Sequence, residues 1–146
     1  MKKAISVFLC FLLIVCMTIP AALADSPEPN DPEPIDPDEY SRVTMLLAGL
    51  SIDSNGVALC SGSVCPTYHT DTVTLTVRLQ YKSGTSWYNY RTWSVTSSGI
   101  QIDLDETASV SPYHTTYRVR VSAECVAATG GDSETVYCNS PIKTYP

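Results

Sequence analysis

The stretch TVTLTVRLQYK sets Val73, Leu75, Val77, Leu79 and Tyr81 on one face of an extended chain and Thr74, Thr76, Arg78, Gln80 and Lys82 on the other. Alternation with a period of two marks a strand with one buried face, and no helical stripe accommodates it. TTYRVRVSAEC, residues 115–125, repeats the scheme. There Tyr117, Val119, Val121, Ala123 and Cys125 share one side, and Arg118, Arg120, Ser122 and Glu124 fill the gaps. This second stretch reads as wall, one side of a core, with any ligand handled elsewhere. GIQIDLDE sets Ile100, Ile102 and Leu104 against Gln101, Asp103 and Asp105, and GVALCSGSV gives Ala58, Cys60, Gly62 and Val64 a common parity.

Turn signals fall between these runs: DSNG, CPTYHTD, KSGTS, TSSG, SVSPYH and ATGGDS. Asn55-Gly56 is the strongest hairpin signal, because both residues tolerate positive φ. The runs predict seven strands, at about 43–52, 56–64, 71–82, 87–95, 99–105, 114–126 and 134–143. The first, RVTMLLAGL, also suits a helical turn. A sheet with one apolar face must cover it with another layer. The predicted fold is therefore all-β: a seven-stranded antiparallel two-layer β-sandwich, with each register open to a one-residue slip.

The N-terminal segment changes the compartment. Two lysines precede an apolar run from Ala4 to Ile19, then Pro20 and the triplet Ala22, Leu23, Ala24. This is the layout of a secretory signal peptide cut after Ala24. A membrane anchor wants roughly 20 apolar residues without such an exit, and a lipoprotein signal ending at Cys16 would have bulky Val15 before the cysteine. Residues 25–39, DSPEPNDPEPIDPDE, carry seven acids, five prolines and no base, the composition of an extended, solvated spacer that buries no core. From Tyr40 onward, seven Lys and Arg face eight Asp and Glu, so the net charge of −6 belongs to the spacer. The predicted organisation is a signal peptide at 1–24, an acidic Pro-rich linker at 25–39 and one domain at 40–146. The C-terminal SPIKTYP has no apolar tail, and the expected product is a secreted, extracellular protein, released and free of the membrane.

TTYRVRVSA, placed after a turn with Pro112 and before a Gly-rich hairpin and a last strand, resembles the F strand of an immunoglobulin-like or fibronectin type III-like domain. That resemblance implies a tyrosine corner at Tyr117 or Tyr113, its hydroxyl tied to a nearby backbone group. An antibody-type domain would have cysteine where Val119 stands, and its buried strand-C tryptophan has no clear counterpart. The wider layout, with LSIDSNGVALCSGSV, VTLTVRLQYKSGTSWYNYRTWSV and TYRVRVSA after a signal and a spacer, resembles an uncharacterised family of short secreted bacterial proteins. It implies fold and location, and no activity.

Cys10 and Cys16 leave with the signal, so Cys60, Cys65, Cys125 and Cys138 remain, and an even number in an oxidising compartment suggests two disulfides. A final hairpin turning at Gly131 and Asp132 would set Cys125 opposite Cys138. Cys60 would then join Cys65 if SGSV turns, since five strand residues span about 16 Å and a disulfide needs Cα atoms within about 7 Å. The competing pattern joins Cys60 to Cys125 between layers, as in immunoglobulin domains, and Cys65 to Cys138. A zinc alternative takes Cys60, Cys65 and His69 with Cys125 or Cys138, in a spacing outside the usual frames.

Candidate chemistry is sparse. His69 and His114, the two histidines, belong to loops at opposite ends of a sandwich, which leaves a serine or cysteine nucleophile without a nearby base. No glycine-rich phosphate loop is present, and the few bases are offset by acids, which disfavours nucleotide and nucleic-acid partners. Asp103, Asp105 and Glu106 in DLDET form a calcium candidate or a hydrated strand end. The stretch SWYNYRTWSV carries aromatics on both faces: as a regular strand, it sets Trp87, Trp93 and Arg91 on one and Tyr88 and Tyr90 on the other. Only one face can fully enter the core; the other would stack on sugars or anchor a protein, unless a bulge turns the rings inward. The expectation is a non-catalytic binding module without cofactor, its partner a glycan or an extracellular protein. A small hydrolase is the rival.

Overall fold

The computed structural model describes residues 41–112, 114 and 116–145. The signal-peptide and spacer readings, and Tyr113, lie outside the described residues. Eight strands follow in order: β1 (Val43–Ile52), β2 (Val57–Pro66), β3 (Thr72–Ser83), β4 (Ser86–Ser97), β5 (Ile102–Ser109), β6 (Thr116–Val126), β7 (Ser133–Asn139) and β8 (Lys143–Thr144). β1, β2 and β5 form one sheet in the order β1-β2-β5; the other runs β4-β3-β6-β7, with β8 also paired to β6. Every pairing is antiparallel. The result is the expected two-layer β-sandwich, and no helix among the described residues is long and apolar enough to cross a membrane.

The period-two runs build the core as their parity requires. Val73, Leu75, Val77 and Leu79 from β3, Val119, Val121, Ala123 and Cys125 from β6, and Ala58, Cys60 and Val64 from β2 are fully buried. Each large apolar chain removed from water in this way contributes about 1.5–3 kcal/mol. Gly62 shares that inward parity and lets the layers approach closely. A Cβ added there would come within 2.6 Å of Val77 Cγ2 and 3.2 Å of Val121 Cγ2.

Local chemistry sets the turns. At the β1–β2 hairpin, the Asp53 carboxylate accepts from the N–H groups of Asn55 (2.9 Å) and Val57 (2.8 Å), and Gly56 takes φ +75. This is an Asx-type turn closed by the one residue without a Cβ penalty. Where the chain crosses from β5 to β6, the Tyr117 hydroxyl donates to the Ser111 carbonyl (2.8 Å) and accepts from the Ser111 N–H (3.0 Å). Burial raises the pKa of this hydroxyl above its ordinary value, although the bond to Ser111 works in the opposite direction.

Two expectations need correction. The last predicted strand, 134–143, is interrupted at Ser140-Pro141, since proline has no N–H to donate to the ladder. Ser140 keeps the connection by donating its N–H to the Val119 carbonyl (2.8 Å) and accepting the Val119 N–H on its Oγ (2.9 Å), and β8 resumes the pairing. The fifth strand begins later than predicted and runs to Ser109; Ile100 is 79 % exposed rather than in the core, and Ala108 supplies the apolar position instead. The first segment is a strand over the expected 43–52, and its helical-turn alternative falls away.

Candidate functional site

The aromatic stretch is β4, at one edge of the five-stranded sheet. Its register against β3 slips between Leu79 and Gln80: Leu79 stands opposite Arg91 but Gln80 opposite Asn89, which leaves Tyr90 as the extra residue of a bulge. The slip reverses the parity of everything before it. Trp93, opposite Val77, packs against the core; Trp87, opposite Lys82, belongs to the outer face. Trp87 and Trp93 therefore do not form a common platform, contrary to the expectation for a regular strand.

The tyrosines turn toward the interior at one end of the sandwich. Tyr88 stacks on Tyr81 with ring centroids 5.5 Å apart, and Tyr81 stacks in turn on His114 at 3.8 Å. Tyr90 meets Tyr81 and Tyr117 edge to face and donates its hydroxyl to the Ser109 carbonyl on the opposite sheet (3.0 Å). These rings cap the core. Arg91 stays exposed, its guanidinium lying 5.2 Å from the Tyr90 ring. Of the five proposed binding residues, Trp87 alone contributes to the outward sheet face.

What Trp87 joins there was missed in the sequence. Paired residues of antiparallel strands share a face, so the outer side of the five-stranded sheet carries Arg78, Gln80 and Lys82 from β3 with Arg118 and Arg120 from β6. Arg78 stands directly opposite Arg120, and Gln80 opposite Arg118. The Arg118 guanidinium lies 4.3 Å from the centre of the Trp87 ring, and that of Arg120 lies 4.9 Å from Tyr137 of β7. The Lys82 ammonium is 5.8 Å from Trp87. Arg118 Nε donates to Gln80 Oε1 (2.8 Å), and Gln80 Nε2 donates to Asn89 Oδ1 (2.9 Å), a polar chain reaching from β6 to β4. Toward the other end the face is a ladder of hydroxyls, Thr74 with Thr96 (3.0 Å) and Thr76 with Ser94 (2.9 Å).

The signal for this face was present in the outward residues of the two alternating runs. Residues 115–125 are wall on one side only; the other side supplies two of the guanidiniums. Their burial sets the place apart: Gln80 is 0 % and Arg120 1 % exposed, although both point away from the opposing sheet. Long polar chains are seldom so buried unless paired or covered.

The remaining candidates separate. Asp103 and Asp105 lie opposite Ser63 and Ser61 on the outer face of the three-stranded sheet, whereas Glu106, opposite the core residue Cys60, has the inward parity. The proposed calcium trio does not converge. Asp103 Oδ1 instead accepts from Ser63 Oγ (2.5 Å) and from Gln101 Nε2 (2.9 Å); those bonds, Gln101 first, lower its pKa.

Cys60, Cys65, Cys125 and Cys138 are free thiols, which corrects the predicted pairings. The β6–β7 connection places Cys125 opposite Glu134 and Cys138 opposite Val121, about 13 Å apart along the ladder. Cys60 and Cys65 lie on one unbroken strand, Cys60 facing the core and Cys65 facing out. That divergence also removes the zinc frame, and no group of three or more His, Cys, Asp or Glu suited to a metal occurs among the described residues. Burial pushes the Cys60 and Cys138 thiols up to about 12 and Cys125, with Glu134 and Asp71 nearby, to about 11. These three behave as small core hydrophobes.

His69 lies in the exposed turn before β3, and His114 meets Tyr81 near the far end of that strand, about 30 Å away along β3. Comparison of the chain with protein-family models, with curated proteins and with solved structures finds no match. The molecule is defined by its fold and its outer face.

Proposed function

We propose that this is a secreted, non-catalytic binding module of the fibronectin type III-like kind, whose working face is the outer side of the β4-β3-β6-β7 sheet and whose ligand is an acidic glycan. The strand order β1-β2-β5 against β4-β3-β6-β7 and the Tyr117 corner support the fold assignment. One observation carries the functional reading: Trp87, Lys82 and the Asn89 amide meet on one sheet face, with Arg118 and Gln80 buried against them. An indole gives a sugar ring a surface to stack on, an ammonium group suits carboxylate or sulfate, and an amide suits hydroxyls. The separation of the two histidines supports a role without catalysis.

An array of acidic glycans, neutral glycans and acidic peptides, probed with residues 25–146, tests this reading. It predicts retention on the acidic glycans that weakens as salt rises. Retention on neutral glycans alone, or on acidic peptides alone, contradicts it.

A further inference from the structure

We infer that the β4 edge of the larger sheet is an interface for a second copy of this chain, which pairs antiparallel with it over residues 91–97 about a two-fold axis at Ser94. The pairing is independent of the ligand proposed above and goes beyond it.

An edge strand presents a row of backbone N–H and C=O groups without a sheet partner, and folded proteins guard such rows with charge, proline, bulges or a covering segment. Three of the four sheet edges are guarded. β5 carries Asp103, Asp105 and Glu106. β7 gives way to Ser140-Pro141, and its Glu134 carboxylate accepts from the N–H groups of Ser41 and Arg42 (3.1 and 2.7 Å). β1 carries no charge, but it packs across the layers against β6, β7 and β8, which closes its flank. β4 is guarded at one end only. The bulge at Tyr90 and the charge of Arg91 protect its first half. Residues 92–97, TWSVTS, hold no charge, proline or glycine and keep an unbroken register against β3, with which alone β4 pairs among the described residues. This segment invites strand addition.

The same segment is complementary to itself. With Ser94 opposite the partner's Ser94, Thr92 meets the partner's Thr96 and Trp93 meets the partner's Val95, each pair occurring twice. Hydroxyl pairs and aromatic–β-branched pairs are among the cross-strand contacts that stabilise an antiparallel ladder. Half of that ladder already exists in the bonds of Thr96 to Thr74 and of Ser94 to Thr76, and the partner continues it across the axis. On the inner side, Trp93 and Val95 pack against the core yet are only partly buried, so a second strand beside them covers what they leave open. Arg91 falls opposite the partner's Ser97. The one charged residue of β4 therefore meets no like charge.

An isologous contact of this kind closes at two copies. Residues paired across antiparallel strands share a face, so the two Trp87 rings stand on the same side of one continuous sheet, about 40 Å apart along the strand direction. A polymeric ligand reaching both would be held twice.

Sedimentation equilibrium of residues 25–146 between about 5 and 500 µM tests the pairing. The mass should rise from one chain toward two and stop there, and it should do so equally at about 0.5 M NaCl, because no ion pair crosses the axis. Ser94 is exposed, so Ser94→Lys and Ser94→Glu each place like charges across the axis with little cost to the sandwich. Each should raise the dissociation constant about fivefold, and an equimolar mixture of the two should restore association. Amide hydrogen exchange on the unaltered chain needs no variant: alternate amides of 91–97 should gain protection as concentration rises, and those of β1 and β5 should not. A single-chain mass at about 500 µM overturns the inference. So does an association that both Ser94 variants leave intact, a mixture that fails to associate, or protection gained at β1 or β5 instead. Glycan retention enters none of these readings, so the pairing and the glycan reading stand or fall separately.

Discussion

The two sheets turn opposite kinds of surface to the outside. The outer side of β1-β2-β5 carries Gly49, Ser61, Ser63, Thr107 and two aspartates, with Met45, Leu47 and Leu59 standing out among them, Leu47 53 % exposed. Short chains there reach only their neighbours, as when Ser63 donates to Asp103. The outer side of β4-β3-β6-β7 carries long cationic chains laid against rings and tied through Gln80 to Asn89. Period-two alternation requires only that this face be polar; arginines, amides and two large rings exceed that need. Scattered exposed leucines are ordinary on a soluble surface. Fully buried arginine and glutamine on an outward face are not, and that contrast directs attention to the second sheet.

Exchanging the two tryptophans for alanine gives the largest effect. Trp93→Ala, which empties a position packed against the core, should cost about 3 kcal/mol in urea unfolding. Trp87→Ala loses mainly its contacts with Arg118 and Lys82 and should cost about 1 kcal/mol. Equal losses would mean that both rings face the core and that the bulge at Tyr90 is misassigned.

The thiols sharpen the picture with a smaller effect. Cys65 alone of the four faces outward from the three-stranded sheet, so brief alkylation of the folded protein should modify Cys65, and denaturant should be needed for the rest. Each buried thiol titrates higher in the folded state than the ordinary 9.0, so its protonated form is what folding favours. The stabilisation is complete below about pH 9 and is lost as pH rises through 11 to 12. The urea midpoint should fall between about pH 8 and pH 10.5, and fall less in Cys60→Ala. A midpoint independent of pH over that span would show these thiols to be solvated.

Leu47→Ser and Leu59→Ser should produce the smallest effect. Both side chains are about half exposed, and each change should stay within about 0.5 kcal/mol in the same unfolding measurement. A loss above about 2 kcal/mol would mark the three-stranded sheet as the covered one.

Much of the fold was legible because inward parity is a local property. Val73 to Tyr81 and Tyr117 to Cys125 declare their strands without knowledge of any partner, and Asn55-Gly56 declares its hairpin. The illegible parts all depend on pairing. Nothing in SWYNYRTWSV marks Tyr90 as the bulged residue, yet that slip sends Trp87 outward. The sequence pattern centres the last hairpin on Gly131 and Asp132, but the positive φ falls at Gly130 and the register centres two residues earlier, which parts Cys125 from Cys138. Arg78 and Arg120 are 42 positions apart, and only the β3–β6 register sets them side by side. The candidate face was written in the polar gaps of runs whose apolar half drew the attention.

The most direct test of the working face is retention on acidic glycans by three forms of residues 25–146: unaltered, Trp87→Ala and Leu47→Ser. The account predicts that Trp87→Ala abolishes retention and that Leu47→Ser leaves it unchanged. Retention that survives loss of Trp87 but vanishes with loss of Leu47 would place the working surface on the other sheet and contradict the account.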